Sequence, residues 1–122
     1  MSHHTTTVRR AADHSPIHEE WGSLTWLAGR QIGNAQALTL GRVTIKPGRC
    51  NPRHCHHQSE EVLYLLNGHL AHTVGDETVL LGPGDTITIA PGVFHNATNT
   101  GPEDADMIVA YPTGTRDFEP EQ

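Results

Sequence analysis

The sequence has little of what marks several large classes of protein. Of its 122 residues, 8 are basic and 14 acidic, which gives a formal net charge of −6. An acidic balance without a basic cluster is not typical of nucleic-acid-binding proteins. No apolar run approaches the roughly 18 residues that a membrane-spanning helix needs, and the N-terminus lacks the charged-then-apolar layout of a signal peptide. We therefore expect a cytoplasmic protein with neither a nucleic-acid nor a membrane partner.

Cysteine is also scarce. The two cysteines, Cys50 and Cys55, lie five residues apart in one short stretch. We expect two free thiols, as is usual for a cytosolic protein. A disulfide between them, or Cys55 as a metal ligand, is the alternative.

No segment has a helical period. Short β-favouring segments alternate with Gly or Pro turns, and Asn67-Gly68 is a strong hairpin signal. Strands are predicted at 21–28, 37–45, 61–66, 69–74, 77–81, 86–90, 94–98 and 107–111. This pattern predicts one antiparallel β-sandwich or barrel. We expect it to occupy 21–112, with a flexible N-terminal arm at 1–20 that is loosely ordered or laid along a neighbouring subunit, and an irregular polar tail at 113–122.

Possible metal ligands are concentrated between residues 48 and 68. His54 and His56 are two residues apart, so in an extended segment both imidazoles lie on one face. Glu61 follows five residues later. Imidazole nitrogen and carboxylate oxygen suit iron, manganese, nickel, cobalt, copper or zinc. The stretch therefore indicates the start of a metal site.

The same stretch resembles the first signature of the cupin superfamily, in which a glycine, His-x-His, a glutamate and a second glycine recur at fixed spacing. The residues that fit it are Gly48, His54, His56, Glu61 and Gly68. The second signature is matched by Gly84, Gly92, His95 and Asn99. Ala90 stands where the family has proline, which affects a turn and leaves the ligand positions intact.

This resemblance implies an all-β fold, the antiparallel double-stranded β-helix or jelly-roll barrel, with both signatures at one barrel mouth. It implies that His54, His56, Glu61 and His95 hold one divalent transition metal (Fe, Mn, Ni, Co, Cu or Zn). The chain is similar to small single-domain bacterial cupins, among them quercetinase-like dioxygenases and polyketide cyclases, and a homodimer is expected.

Two classes of function remain open at this point. In the first, the chain is a metal-dependent enzyme for a small organic molecule. It is then either a dioxygenase or a Lewis-acid cyclase, isomerase or lyase in which Glu61 accepts a proton. In the second, it is a non-catalytic small-molecule-binding or sensory cupin. One fold hosts many chemistries, so the resemblance alone does not choose between these classes.

Several other side chains have specific expectations. Trp21 and Trp26 either pack at a sheet edge or line the mouth of a pocket. Gln58 is a candidate hydrogen-bond partner for a ligand. Tyr111 is expected to close the cavity.

Strand parity gives further expectations. Tyr64 is expected to face away from Glu61, and His57 and Glu60 are expected to point outward. His69 and His72 have opposite parity, so at most one of them faces the interior. Phe94, Met107 and Val109 are expected in the core rather than in contact with substrate.

Overall fold

Two antiparallel sheets make up the computed structural model, which describes residues 6–122. The strands are β1 (Ile17–Glu19), β2 (Gly22–Ala28), β3 (Thr39–Ile45), β4 (His54–Cys55), β5 (Glu61–Asn67), β6 (Leu70–Val74), β7 (Glu77–Leu81), β8 (Thr86–Ile89), β9 (His95–Asn99), β10 (Ala105–Tyr111) and β11 (Glu119–Pro120). A single 3-10 turn at Ala11–Asp13 precedes them in the described part of the chain. Within residues 6–122, no helix has the length and apolar character needed to cross a membrane.

The sheet order confirms the predicted fold class. One sheet has the order β1-β2-β3-β10-β5-β8, and the other has the order β11-β4-β9-β6-β7. Neighbours in both sheets run antiparallel. Strands distant in sequence are therefore adjacent in space, as a double-stranded β-helix requires.

The core follows from the two-residue period of the strands. In β10, Ala105, Met107, Val109 and Tyr111 are buried, whereas the residues between them are partly exposed. In β5, burial alternates in the same way, beginning with Glu61. Ala110 pairs with Val62 across these strands, so the inward-facing Tyr111 and Glu61 lie at the same end of the barrel. Strand register thus brings a phenol and a carboxylate together.

The turn at Asn67-Gly68 joins β5 to β6, but the predicted hairpin is wrong: β5 pairs with β10 and β8, whereas β6 pairs with β9 and β7 in the other sheet. Gly68 has φ of 96°, a conformation that other residues rarely adopt. A Cβ atom at this position would lie 2.7 Å from the Ala105 Cα atom. Glycine is therefore required both by the backbone angle and by the close approach of β10.

Both ends of the described chain contribute strands. β1 lies inside the arm predicted at 1–20, whose first five residues fall outside the described residues. β11 lies inside the predicted tail, where Glu119 pairs with Cys55 and Pro120 with His54. The expectation of an irregular tail is wrong at these two residues, because a two-residue edge strand that contains proline has no alternating pattern. The domain limits at 1–20, 21–112 and 113–122 stay a prediction.

Candidate metal centre

The fold brings the four predicted ligand residues together. His54 is in β4, and His56 follows just after it. Glu61 begins β5, and His95 begins β9 directly opposite His54. All four side chains are buried, and one donor atom from each lies within 4.8 Å of the others.

Backbone carbonyl groups orient the three imidazoles. The distance from Nδ1 to a carbonyl oxygen is 2.7 Å for His54 and Pro52, 2.6 Å for His56 and Asp117, and 2.9 Å for His95 and Val93. A carbonyl oxygen only accepts hydrogen bonds, so Nδ1 carries the proton in each neutral ring. All three Nε2 atoms are then left with a free lone pair, which is the arrangement found in metal-binding histidines.

The lone pairs of His56 and His95 lie next to the Glu61 carboxylate. Glu61 Oε1 lies 3.1 Å from Nε2 of His56 and 3.5 Å from Nε2 of His95. In the neutral tautomers these contacts bring two acceptors together, which a cation between them would relieve. Metal bonds of about 2.1 Å at right angles separate neighbouring donors by about 3 Å. Within residues 6–122, Nε2 of His95 is buried with no hydrogen-bond partner. The donor set therefore fits a divalent metal ion.

The protonation states of the side chains at the site also favour a bound cation. Burial by itself would raise the pKa of Glu61, but His56 and His95 lower it whenever their Nε2 atoms carry a proton, and the Tyr111 hydroxyl lowers it as well, so the carboxylate is ionised. Burial lowers the pKa of His54 to about 4, which keeps that ring neutral at pH 7. Burial and the neighbouring Glu61 raise the pKa of Tyr111. Tyr111 therefore stays a phenol and donates to Glu61 Oε1 at 2.7 Å.

A cavity of about 270 Å³ opens beside the donor atoms. Trp21 and Trp26 both line it and also pack against the core, so both readings of these residues hold. Trp26 lies over Gly41, where an added Cβ atom would come within 2.8 Å of the indole ring. Met107 and Val109 are buried, as expected, and at the same time form part of the cavity wall.

The tail contributes residues that sequence reasoning missed. The Phe118 ring stacks on His54, with centroids 4.7 Å apart and an interplanar angle of 25°. The Arg116 guanidinium lies 4.4 Å from the centroid of Trp26, and Phe118 and Tyr111 are next to it. Arg116 and Phe118 both line the cavity. The one signal available was a single aromatic residue in an otherwise polar segment.

The expectations for the residues between His56 and Glu61 have different outcomes. Gln58 does not supply the partner of a ligand imidazole, because backbone carbonyls fill that role. Its backbone N–H donates to Asp117, and the residue is exposed. His57 and Glu60 are exposed, as strand parity predicts.

The remaining parity predictions are confirmed. Tyr64 is exposed on the outer face of β5, whereas Tyr111 borders the cavity. His69 is exposed, and His72 is buried and lines the cavity. The His72 ring packs nearly parallel to that of His95, with centroids 5.8 Å apart. Phe94 is half-buried, so it is less central to the core than expected.

The chain is similar in sequence to proteins from bacteria and plants. It is 29 % identical over 94 residues to the tetracenomycin polyketide synthase protein TcmJ of Streptomyces glaucescens, which covers 77 % of this chain and 63 % of that protein. It is 30 % identical over 83 residues to germin-like protein 3-8 of Oryza sativa subsp. japonica, covering 64 % of this chain and 37 % of the relative. The chain thus spans less than two thirds of the length of either relative.

Solved structures share the fold at lower sequence identity. The oxalate decarboxylase–formate complex of Lactobacillus farciminis superposes with a TM-score of 0.83 at 24 % identity, covering 89 % of this chain and 34 % of that one. A recombinant oxalate oxidase in complex with glycolate gives a TM-score of 0.74 at 20 % identity, covering 83 % of this chain and 55 % of that one.

A protein-family model matches the part of the chain that contains the donor cluster. The model described as the cupin domain matches residues 41–111. The match includes His54, His56, Glu61 and His95, and it covers more than half of the chain. The chain belongs to the cupin family.

Proposed function

We propose that this chain is a metal-dependent enzyme that acts on a small organic molecule, with His54, His56, Glu61 and His95 as the metal ligands. One observation carries the proposal. Three imidazoles are fixed through Nδ1 so that their Nε2 atoms converge with a buried carboxylate at the wall of a cavity. A structural metal site is closed by its protein ligands and needs no adjacent cavity, whereas a catalytic site keeps a position open for substrate.

A divalent transition metal bound there would supply Lewis acidity, and redox reactivity in the case of iron, manganese, nickel, cobalt or copper. The residues of the chain orient the substrate and keep the site dry. Leu24, Val43 and Leu63 give the cavity apolar walls, and the Phe118 ring covers one side of His54. The likeness to a polyketide synthase protein supports a substrate with substantial apolar surface.

Arg116 supports a substrate that also carries negative charge. Its guanidinium is held among the aromatic rings of Trp26, Tyr111 and Phe118. No carboxylate within residues 6–122 forms an ion pair with it. A guanidinium stacked on aromatic faces keeps its N–H donors available for a carboxylate or enolate. The proposed substrate class is therefore a small, largely apolar carboxylate or enolisable carbonyl compound.

Glu61 has two candidate roles, as a ligand and as a proton acceptor. Its Oε1 atom accepts the Tyr111 hydrogen bond, and its low pKa makes it a good anionic ligand and a weak base. Proton transfer to Glu61 therefore requires that the carboxylate first leave these contacts. This catalytic role stays a prediction.

Elemental analysis tests the metal ligands. Both proteins are prepared without a histidine tag. The double variant His54→Ala, His95→Ala is expected to contain one equivalent of metal less than the wild type. The matched control is His18→Ala, His69→Ala, which removes two exposed histidines elsewhere and is expected to retain that equivalent. Equal metal content in the two double variants would refute the proposed ligand set.

Activity assays separate catalysis from binding. Metal-loaded protein is to be tested for oxygen consumption with flavonol- and diketone-type compounds, and for isomeric, cyclised or cleaved products by mass spectrometry. Turnover that is lost in His54→Ala, His95→Ala supports an enzyme. Binding of the same compounds without any product would instead support the non-catalytic binding cupin.

Arg116 can be tested before the substrate is known. Benzoate serves as a probe carboxylate, benzamide as its uncharged counterpart, and the fluorescence of the two cavity-lining tryptophans as the readout. Hydrogen bonds to charged groups contribute about 1.5–3 kcal/mol, so Arg116→Gln is expected to weaken benzoate binding at least tenfold and to leave benzamide unchanged. Arg49→Gln, which removes an exposed arginine paired with Glu20, is the control. Equal benzoate affinity in both variants would exclude the anion contact.

The proposal includes a homodimer in the cytoplasm. Val62, Tyr64 and Leu66 form an exposed apolar row on the outer face of β5, which supports burial against a second copy. Sedimentation of the wild type and of Tyr64→Glu tests this surface: a wild-type dimer that dissociates in the variant supports it, and a wild-type monomer refutes it. The cytoplasmic location stays a prediction.

A further inference from the structure

A second group of donor atoms lies on the opposite side of the ligand strand. His54 and His56 point into the barrel, so Cys55 and His57 between and after them point away from it. β11 pairs with β4 so that Glu119 lies directly opposite Cys55. We call Cys55, His57 and Glu119 the outer triad. None of the three belongs to the candidate metal centre.

The spacing within the outer triad is close to that of a tetrahedral metal site. Cys55 Sγ lies 3.6 Å from His57 Nε2 and 3.9 Å from Glu119 Oε2. Zinc bonds of about 2.3 Å to sulfur and about 2.1 Å to nitrogen and oxygen would place sulfur about 3.6 Å from either atom. Both observed distances therefore agree with tetrahedral geometry to within a few tenths of an ångström.

The distance between His57 and Glu119 is the only one in the outer triad that must lengthen for a tetrahedral site. His57 Nε2 and Glu119 Oε2 are 2.8 Å apart, as in a hydrogen bond, whereas tetrahedral ligands would be about 3.4 Å apart. About half of each of these two side chains is exposed, so both can shift at little cost. Cys55 is buried and provides the fixed member of the group.

We propose that Cys55, His57 and Glu119 form a second metal site, suited to zinc, with water as the fourth ligand. A thiolate, an imidazole and a carboxylate are the ligand types that zinc accepts, and sulfur distinguishes this site from the candidate metal centre. As the sulfur–metal bond forms, the thiol releases its proton to solvent.

The second site has a structural role that follows from its position. It joins β4 to β11, which carries the end of the tail. Two residues before Glu119, the Asp117 carbonyl accepts from His56 Nδ1, and between them Phe118 stacks on His54. Zinc on the outer triad therefore fastens the segment that supports two ligands of the candidate metal centre.

Cobalt substitution of the full chain tests the site through its sulfur ligand. A thiolate bound to Co²⁺ gives a ligand-to-metal charge-transfer band in the near ultraviolet, which imidazole and carboxylate ligands do not give. We expect this band in the wild type and in Cys50→Ser, which removes the exposed thiol, and its loss in Cys55→Ser. Absence of the band in the wild type, or its persistence in Cys55→Ser, overturns the proposal.

A variant at an exposed position guards against misfolding of Cys55→Ser. His57→Gln is expected to weaken zinc binding at the outer triad at least tenfold, as measured by competition with a chelating dye. His18→Gln, another exposed histidine change, is expected to have no effect. Equal zinc affinity of these two variants would also overturn the proposal.

The test is independent of the candidate metal centre. In the double variant His54→Ala, His95→Ala, the charge-transfer band is expected to remain, because no member of the outer triad is altered. In that background, zinc is expected to slow tryptic cleavage after Arg116, and His57→Gln is expected to abolish this protection. Cleavage at the same rate with and without zinc would refute the fastening role.

Discussion

Phe118 stacks on His54, with the two rings 4.7 Å apart and inclined by 25°. The contact joins a tail residue to a candidate ligand that lies far away in sequence. About half of the Phe118 surface is exposed, so the ring shields the imidazole without being part of the core.

Phe118→Ala is expected to lower the free energy of unfolding by at least about 0.5–1.5 kcal/mol, the contribution of an aromatic pair beyond the apolar area that it buries. It is also expected to speed metal loss to a chelator, because the variant exposes one side of His54. Urea unfolding and stopped-flow chelation measure the two effects. Phe118→Leu, which keeps apolar cover, should fall between the variant and the wild type. Equal chelation rates in all three proteins would contradict the shielding role.

Tyr111→Phe removes the hydroxyl that donates to Glu61 Oε1 inside the barrel. Because hydrogen bonds to charged groups contribute about 1.5–3 kcal/mol, we expect a loss of that size in the unfolding free energy of the metal-free protein. Tyr64→Phe is the matched control, since Tyr64 is exposed, and it should change stability by less than about 0.5 kcal/mol. Equal losses in both variants would show that the Tyr111–Glu61 contact contributes nothing.

The Asp117 carboxylate binds the backbone of the segment between the candidate ligands His56 and Glu61. It accepts the N–H of His57 at 2.6 Å and that of Gln58 at 3.1 Å. Partial burial would raise the pKa of Asp117, but these hydrogen bonds lower it overall. A pKa lower in the folded than in the unfolded chain stabilises the fold above the unfolded value of about 3.9, and this stabilisation is lost as pH falls further.

Asp117→Asn is therefore expected to lower the unfolding free energy at pH 7 by about 1–3 kcal/mol. The difference from the wild type should shrink below about pH 4, where the carboxyl group of the unfolded chain takes up its proton, and disappear once pH falls below the lower pKa of the folded protein. Thermal or urea unfolding across this pH range measures the effect. Asp76→Asn, at an exposed turn residue, provides the reference; a pH-independent difference for Asp117→Asn would exclude the charge as the cause.

Gly68→Ala and Gly75→Ala separate backbone strain from steric conflict. Both glycines have positive φ, 96° and 58° respectively. An added Cβ atom would meet the backbone of Ala105 at 2.7 Å at the first position, but only a Val93 methyl group at 3.8 Å at the second. We expect Gly68→Ala to cost at least about 2 kcal/mol more than Gly75→Ala in chemical denaturation. Similar costs would mean that the turn at Gly68 moves away from β10.

The sequence predicts eight of the eleven strands, because alternation is a local pattern, and the resemblance to the two cupin signatures supplies the four candidate ligands. Alternation in 61–66 and 107–111 is visible in the letters, and so is the interval between His54 and His56. The Asn-Gly hairpin signal was misleading, because the chain crosses from one sheet to the other at this turn and only Gly68 has a positive φ.

The groups that orient and cover the candidate ligands could not be predicted in the same way. Asp117 reaches His56 through its backbone carbonyl, a group that every residue has, across 61 positions of sequence. No residue type marks such a contact. Arg116 and Phe118 lie near the cavity because β11 pairs with β4, and a two-residue strand leaves no periodic pattern. The sequence therefore predicts the candidate ligands but not the groups that orient and cover them.

The short β11 strand also bears on how a metal bound at the candidate centre would exchange with solvent. Proteins open locally at far lower cost than they unfold, and opening begins where few hydrogen bonds hold a segment. β11 has only two residues, one of them a proline, and lies at the edge of its sheet. If Asp117 and Phe118 detach together with it, Nδ1 of His56 becomes free and His54 is uncovered while the barrel stays folded. We therefore expect the metal exchange rate to follow hydrogen-exchange opening of the tail rather than the global stability of the barrel.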